Sequence, residues 1–109
     1  MLNAVTEKEG FPAAVLIRAI QPMEGIEGML KRRRGLDTFG PGKLTQALGI
    51  TKSENYARLT DTGSSLRIEA GVKVPDKSVT IGPRVGLNTT PEPWFSKPWR
   101  FKVDNWKII

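Results

Sequence analysis

One apolar run near the amino terminus limits what this chain can fold into. Residues 13–20 read Ala-Ala-Val-Leu-Ile-Arg-Ala-Ile, and Pro12 and Pro22 bound the run. So short an apolar segment between turn-forming residues predicts a buried strand. Residues 2–6 also predict a strand, and the polar segment Glu7–Gly10 predicts the hairpin loop between them. Since few natural domains begin in the middle of a sheet, we expect the chain to be part of a larger domain.

The first predicted helix covers residues 23–34. Its charges suit the helix dipole, because Glu24 and Glu27 lie early and the basic run Lys31–Arg34 lies late. Gly35 is expected to end the helix. Its predicted apolar face consists of Met23, Ile26, Met29 and Leu30. We interpret both glutamates as first-turn residues rather than as a catalytic pair. The basic run fits a solvated helix end or, alternatively, contacts along a polyanionic backbone.

A second helix is predicted between Gly40 and Gly49. Pro41 suits its first turn and Gly49 its end. The expected apolar face is formed by Leu44, Ala47 and Leu48. The start, Gly40–Lys43, combines free backbone N–H groups with a lysine, which suits a phosphate group. An ordinary proline-initiated helix is the alternative, and the nucleotide-binding pattern GxxxxGK[ST] is absent.

The rest of the chain is rich in turns. Further strands are predicted at residues 66–70, 84–87 and 99–103. Residues 88–97 form a long loop that contains Trp94, an aromatic residue suited to stacking on nucleic-acid bases, and this role stays open. Trp99 alternates with Phe101, which favours a place in the core for both. These patterns predict a single α+β domain over residues 1–109, with antiparallel strands and two short helices.

The absence of two residue types excludes several kinds of chemistry. Without cysteine there are no disulfides or thiolate metal sites, and without histidine there is no Ser/His or Cys/His nucleophile. The net charge of +6 favours a polyanionic partner, although many small basic proteins bind no nucleic acid. No apolar run reaches the roughly 18 residues of a membrane span, and no signal peptide is evident. We expect a cytoplasmic location, no membrane partner and no bound metal.

Four segments, in this order, resemble the alkyladenine (methylpurine) DNA glycosylase family. They are residues 13–22, 40–50, 83–86 and 97–101. The resemblance extends from Leu2 to about Val103, and the first two segments are long. It implies an α+β fold around a curved, open-barrel-like antiparallel sheet, with DNA lying across one face. This chain would supply the C-terminal portion of that domain.

The resemblance implies a monofunctional enzyme of base excision repair. Such a glycosylase flips an alkylated or deaminated purine out of double-stranded DNA, and a glutamate activates the water that displaces the base. No cofactor or metal is implied, and we expect a monomer associated with the nucleoid through DNA. In the family the glutamate, an aromatic stacking pair, a pocket histidine and a wedging tyrosine lie upstream of the segment that Leu2 and Asn3 match. None has a counterpart here, so we expect the chain alone to be inactive, with a non-catalytic DNA-binding remnant as the alternative.

The resemblance assigns the two most specific roles to Arg18 and Asn3. Arg18 is expected to hold the nucleophilic water and the phosphate beside the flipped nucleotide, since a guanidinium forks onto phosphate oxygens. A strand arginine paired with a sheet neighbour is the alternative. Asn3 is expected to border the base pocket, where an amide can read the edge of a purine. An ordinary strand-end asparagine is the alternative.

Five further residues are expected to contact water or DNA. The backbone carbonyl of Val85 is expected to position the water, although a buried strand residue before a tight turn fits Val85 equally well. Gly86 and Arg84, in the same segment, are expected to contact DNA, unless Arg84 merely extends its charged end into solvent. Gly42 and Lys43 are expected to bind a phosphate at the start of the second helix.

Overall fold

A computed structural model describes residues 1–33 and 38–104 of the chain. These residues form two compact units, one from Met1 to Glu69 and the other from Ala70 onward. They contain two α-helices, two short 3-10 helices and two separate two-stranded antiparallel sheets. The predicted α+β class, with antiparallel strands and two short helices, is confirmed, and the described residues form no closed barrel. The single domain over residues 1–109 stays a prediction.

The predicted N-terminal hairpin is present and shorter than its apolar pattern. It consists of β1 (Asn3–Val5) and β2 (Ala14–Leu16). The ladder pairs Asn3 with Leu16, Ala4 with Val15, and Val5 with Ala14. The predicted polar loop closes with a hydrogen bond from the Phe11 N–H to the Lys8 carbonyl at 3.1 Å. In the remainder of the apolar run, Ala19 forms an isolated bridge to Phe39. The predicted strand over residues 13–20 is therefore too long.

The first helix, α1 (Ile26–Arg32), is shorter than predicted. Gly25 precedes it in the left-handed region, with φ of 69°, a conformation that favours glycine and breaks the helical path. The first-turn position of Glu27 is confirmed, but that of Glu24 is wrong, because Glu24 lies before Gly25 and the helix. Of the predicted apolar face only Met29 is buried, whereas Met23 is 68% exposed. Arg34 and Gly35 lie outside the described residues.

The second helix, α2 (Pro41–Leu48), follows its prediction closely. Gly40 caps the start, Pro41 is the first helical residue, and Gly49 ends the helix in the left-handed region with φ of 68°. The predicted face is confirmed, since Leu44 and Ala47 are fully buried and Leu48 is partly buried. The buried hydrophobic residues among those described are Met29 of α1 and Leu44 and Ala47 of α2. The core of the first unit therefore lies between the two helices. A 3-10 helix, Lys52–Glu54, follows.

The second unit is built on a ribbon of β3 (Val79–Gly82) and β4 (Arg100–Val103). A 3-10 helix, Asp76–Ser78, leads into β3. The ladder pairs Val79 with Val103, Thr80 with Lys102, Ile81 with Phe101, and Gly82 with Arg100. The final predicted strand, at residues 99–103, is confirmed as β4. The sequence did not predict β3.

Three other predictions in the C-terminal part are wrong. Residues 66–70 form no strand, because their backbone makes a single ladder-like hydrogen bond, from the Ile68 N–H to the Leu59 carbonyl at 2.7 Å. Residues 84–87 form no strand, because the chain bends at Val85 and Gly86, where Gly86 has φ of 75°. Trp99 and Phe101 are not core residues, since they are 49% and 67% exposed.

None of the helices in residues 1–33 and 38–104 is long and apolar enough to cross a membrane.

Candidate functional site

Asn3 and Arg18 lie at the same end of the β1–β2 hairpin. Asn3 opens β1 opposite Leu16, and the next residue, Ile17, donates its backbone N–H to the Leu2 carbonyl at 3.0 Å. Arg18 follows directly after this last hydrogen bond of the hairpin. The strand register therefore brings together the two residues to which the resemblance assigns the most specific roles.

Arg18 is a partly buried residue. Within residues 1–33 and 38–104, no carboxylate or carbonyl oxygen pairs with it. The alternative of a strand arginine paired with a sheet neighbour therefore finds no partner among the described residues. A permanently charged group that is partly removed from water is stabilised by an anion. Arg18 is accordingly suited to receive a phosphate oxygen from a ligand.

Two contacts connect the segment after Arg18 to the start of α2. Ala19 forms its bridge to Phe39, and the buried Thr38 hydroxyl donates a hydrogen bond to the Ile20 carbonyl at 2.7 Å. Thr38 is only 2% exposed, so this bond is shielded from solvent. The hairpin end that carries Arg18 is thus joined to the segment leading into Gly42 and Lys43.

The start of α2 presents backbone donors that its own side chains leave uncapped. Gly40, the N-cap, has no side chain to accept from the first turn, and Pro41 contributes no N–H. The Gly42 N–H has no acceptor among the described residues. Gly42 and Lys43 are both exposed. Orphan N–H groups and a lysine at a helix start favour an anionic ligand, and the phosphate role of both residues stays a prediction.

The predicted Arg84–Gly86 segment lies in the second unit, directly after β3 and Pro83. The Val85 carbonyl accepts no hydrogen bond from the described residues, so it is available to a water molecule. Val85 is 46% exposed, which contradicts the alternative of a buried strand residue. The positive φ of Gly86 sets the turn that presents this carbonyl.

Arg84 is engaged with two tryptophans rather than extended into solvent. Its guanidinium carbon lies 5.1 Å from the centre of the Trp99 ring, and its Nη2 donates to the Trp94 carbonyl at 3.2 Å. Its Nε is buried without a hydrogen-bond partner. The Lys97 ammonium lies over both rings, at 5.6 Å from Trp94 and 5.5 Å from Trp99. We call these four residues the tryptophan cluster.

Sequence reasoning missed the tryptophan cluster. The alternation around Trp99 favours a core position, and the sequence leaves the role of Trp94 open. The Arg84–Trp99 pair joins residues that are distant in sequence, so periodicity does not reveal it. The available signal was the spacing of two tryptophans around a lysine, with Arg84 in a neighbouring matched segment.

The basic run at the end of α1 connects the two helices. Arg32 Nε donates to the Ala47 carbonyl at 2.7 Å, and Arg33 Nη1 donates to the Gln46 side-chain oxygen at 2.9 Å. The end of α1 is therefore not purely solvated, and its contact with a polyanion stays a prediction. A shallow groove beside them is lined by Arg32, Gly42, Thr45, Gln46, Gly49, Ile50 and Thr51.

In the described part of the chain no three Asp or Glu residues form a cluster suited to a metal ion.

Comparison with known proteins decides the family. The family model of methylpurine-DNA glycosylase matches residues 1–107. This chain belongs to the methylpurine-DNA glycosylase family. A protein of Bacillus subtilis named as a 3-methyladenine DNA glycosylase is 44% identical over 107 residues, which are 94% of this chain and 52% of the relative. The DNA-3-methyladenine glycosylase of Arabidopsis thaliana is 39% identical over 109 residues, covering 94% of this chain and 42% of the relative.

The chain therefore spans about half the length of the curated methylpurine-DNA glycosylases it matches. The family match covers residues of both compact units. Asn3, Arg18, Gly42 and Lys43 lie in the first unit, and Arg84, Val85 and Gly86 lie in the second. Their individual roles in binding or catalysis stay predictions.

Proposed function

We propose that this chain contributes to a base-excision DNA glycosylase. The enzyme removes alkylated or deaminated purines from double-stranded DNA by hydrolysing the N-glycosidic bond of a base flipped out of the duplex. Membership of the methylpurine-DNA glycosylase family supports the reaction class. The observation that carries the proposal is Arg18, a partly buried residue that has no partner among the described residues and lies at the same hairpin end as Asn3.

In the proposed reaction Arg18 binds the phosphate beside the flipped nucleotide and holds the attacking water. A bond forms between the water oxygen and the sugar carbon, and the bond from that carbon to the purine nitrogen breaks. The water proton passes to a general base, and the departing purine takes the bonding electrons. By the family resemblance that general base is a glutamate outside the segments this chain matches. The free carbonyl of Val85 is suited to accept a hydrogen bond from water.

Asn3 and the α2 start have supporting roles in this proposal. The Asn3 amide carries both a donor and an acceptor, so it discriminates among purines by their edge groups. Gly42 and Lys43 supply a backbone N–H and a positive charge to a phosphate. The net charge of +6 makes the chain's binding to DNA favourable and salt-sensitive.

Activity assays test the proposal directly. We expect no release of hypoxanthine or ethenoadenine from duplex DNA by the 109-residue chain alone, because it has no counterpart of the glutamate. Fusing the chain to the remaining portion of the Bacillus subtilis relative should give measurable excision. In that fusion Arg18→Ala should slow single-turnover excision by about 100-fold or more, while Arg58→Ala, an exposed arginine of the same unit, should leave it unchanged.

Two outcomes would contradict this proposal. Excision above background by the isolated chain would show that its inactivity was wrongly expected. Near wild-type turnover of the Arg18→Ala fusion, with its fold intact by circular dichroism, would show that Arg18 does not hold the water or the phosphate.

A non-catalytic DNA-binding role is the second candidate, favoured by the net charge of +6. In this case the chain alone binds damaged and undamaged duplexes equally, and the fusion excises nothing. Affinity measured across salt concentrations tests the phosphate contact, because Lys43→Ala should reduce the salt slope by about one. An unchanged slope would place Lys43 away from the DNA backbone.

A further inference from the structure

The tryptophan cluster presents aromatic surface that the proposed reaction does not use. Its two indole rings are about half exposed, Trp94 at 48% and Trp99 at 49%. Their centroids lie 5.9 Å apart, and the ring planes are inclined to each other by 42°. Tryptophan is highly buried on average in folded proteins. Two adjacent indoles that stay half exposed therefore offer a large apolar surface to a ligand.

Local contacts hold both rings in place. The Trp94 N–H donates to the Pro91 carbonyl at 3.1 Å, and the Trp99 N–H donates to the Lys97 carbonyl at 2.9 Å. From the end of β3, Arg84 lies over the Trp99 ring and donates to the Trp94 carbonyl. Because the rings are positioned before a ligand arrives, less conformational entropy is lost on binding.

The charge around the rings favours an anionic ligand. In the described part of the chain, no carboxylate or carbonyl oxygen pairs with the Lys97 ammonium, which lies over both rings. Glu92 is the one acidic residue between positions 77 and 103, and its carboxylate accepts from the Ser96 N–H and hydroxyl. An aromatic face attracts an ammonium but supplies no oxygen acceptor. Lys97 is therefore suited to donate hydrogen bonds to an anionic oxygen.

We propose that the tryptophan cluster binds an unpaired nucleotide of a DNA strand. A nucleotide joins a flat aromatic base to an anionic phosphate, and the cluster matches both. The base stacks on Trp94, since Trp99 has both Arg84 and Lys97 over its ring, whereas among the described residues Trp94 has Lys97. The flexible side chain of Lys97 reaches a phosphate beside that base.

Two other ligands match the cluster less well. The positive charges of Arg84 and Lys97 oppose a quaternary ammonium, the cation that aromatic cages bind. The bases of a fully paired duplex stack on one another, so they do not offer their faces to Trp94. The site lies within the second unit and includes neither Arg18 nor Asn3. The inference goes beyond the proposed reaction, because the nucleotide is bound here without any chemical change.

The experiment measures binding of the purified 109-residue chain to a labelled oligothymidylate of about ten nucleotides, a length within the range of known single-strand sites. Fluorescence anisotropy gives the affinity. Trp94→Ala should weaken binding by about fivefold or more, the loss expected for one base–aromatic stacking contact. Tyr56→Ala is the matched control, because Tyr56 is an aromatic residue outside the cluster and is 94% exposed. It should change the affinity by less than about twofold.

Two further comparisons separate stacking from phosphate binding. Trp94→Ala should leave the affinity for a fully paired duplex of the same length unchanged. Lys97→Ala should lower the salt slope for the oligothymidylate by about 0.7, the value for one phosphate contact on a single strand. Lys77→Ala removes the same charge from an exposed position of the second unit and should leave this slope unchanged.

A measurement on the wild-type chain avoids variants that fail to fold. An oligothymidylate carrying one iodouracil should, on irradiation, form crosslinks to residues 94–99 that mass spectrometry locates. No binding of the oligothymidylate, equal losses for Trp94→Ala and Tyr56→Ala, or crosslinks only outside residues 94–99 would each overturn the proposal. An equal loss for Trp94→Ala on the paired duplex would also overturn it, by showing that base stacking is not involved. None of these probes contains a damaged purine, so their results do not depend on the proposed excision reaction.

Discussion

Arg84 shows how the surroundings of one side chain change its interpretation. A permanently charged guanidinium in a matched segment suggests a DNA contact, yet this one lies on the Trp99 ring and donates to the Trp94 carbonyl. Both contacts fix the residue immediately before Val85. Arg84 therefore has a structural role in holding the turn, and its contact with DNA stays a separate prediction.

We expect Arg84→Ala to destabilise the second unit by about 1–3 kcal/mol, because it removes a cation–π contact and a charge-assisted hydrogen bond. Chemical denaturation followed by tryptophan fluorescence measures the change. Arg67→Ala is the control, since its ion pair with Glu69 is exposed and should contribute less than about 1 kcal/mol. Equal effects of the two substitutions would contradict the structural role of Arg84.

Glu54 gives a prediction about pH. A hydrogen bond from the Thr51 backbone N–H at 2.7 Å, followed by one from the Ser53 hydroxyl at 3.0 Å, lowers the pKa of the Glu54 carboxyl below its ordinary value. Both bonds favour the ionised form. A lowered folded-state pKa contributes stability above the unfolded-state pKa, and this is lost as the pH falls through the folded-state value.

Glu54→Gln should therefore reduce stability at neutral pH, and the difference from wild type should shrink as the solution is acidified through the folded-state pKa. Carbon-13 titration of the Glu54 carboxyl should give a midpoint below that of the same residue in a peptide spanning residues 50–57. A midpoint equal to or above the peptide value would show that the Thr51 cap is not formed in solution.

At the scale of the element, α2 shows two glycines with opposite requirements. Gly49 ends the helix with φ of 68°, and an added Cβ would lie 3.3 Å from the Arg32 Cδ. Gly42 lies in the first turn, and an added Cβ there would meet open space. The first glycine is required by the backbone, whereas the second only weakens the helix.

Gly49→Ala should destabilise the first unit by about 1–2 kcal/mol, because alanine is strained in the left-handed region. Gly42→Ala should be neutral or stabilising by up to about 1 kcal/mol, because alanine is the better helix former. Urea denaturation followed by far-ultraviolet circular dichroism compares the two variants. The reverse order of stability would mean that α2 does not end at Gly49.

At the scale of the whole molecule, the described residues bury few large apolar side chains. The buried hydrophobic residues are Met29, Leu44 and Ala47, while Val5 and Val15 of the hairpin are 75% and 53% exposed. Burial of apolar surface is the main favourable term in folding and the source of its heat-capacity change. The 109-residue chain by itself should therefore be only marginally stable.

Differential scanning calorimetry tests this expectation. The isolated chain should unfold in a broad transition, with a heat-capacity change well below the roughly 1.3 kcal/mol/K typical of a 100-residue domain. Adding the remaining portion of the domain should sharpen the transition and raise its midpoint. A sharp two-state melt of the monomeric chain, with a full heat-capacity change, would contradict the expectation.

Sequence patterns predicted the elements that depend on nearby residues. The β1–β2 hairpin has its two strands and its loop within the first 16 residues, and α2 has both of its end signals within ten residues of each other. β3 was missed because it is defined by pairing with β4, about 20 residues away across a long loop. The strand predicted at residues 66–70 had the right alternation but no partner strand.

The candidate site likewise has features that the sequence predicts and features that only the structure shows. The ordered segments predicted the family and named Arg18, Asn3 and Val85, since residue types in a fixed order need no tertiary information. The structure showed what those segments left open: Arg18 lacks a partner among the described residues, and the Val85 carbonyl accepts no bond from them. Whether a polar group is already satisfied depends on distant neighbours, so sequence alone does not predict it.

The sequence by itself determined the α+β class, the hairpin, α2 and the methylpurine-DNA glycosylase family, because each follows from local periodicity, end signals or ordered segments. Only the tertiary structure decided which apolar faces are covered. The alternation of residues 99–103 predicted a strand and correctly indicated that this strand has one apolar face. It did not predict that both side chains stay exposed, because burial depends on a packing partner, and a pattern within one strand carries no information about that partner.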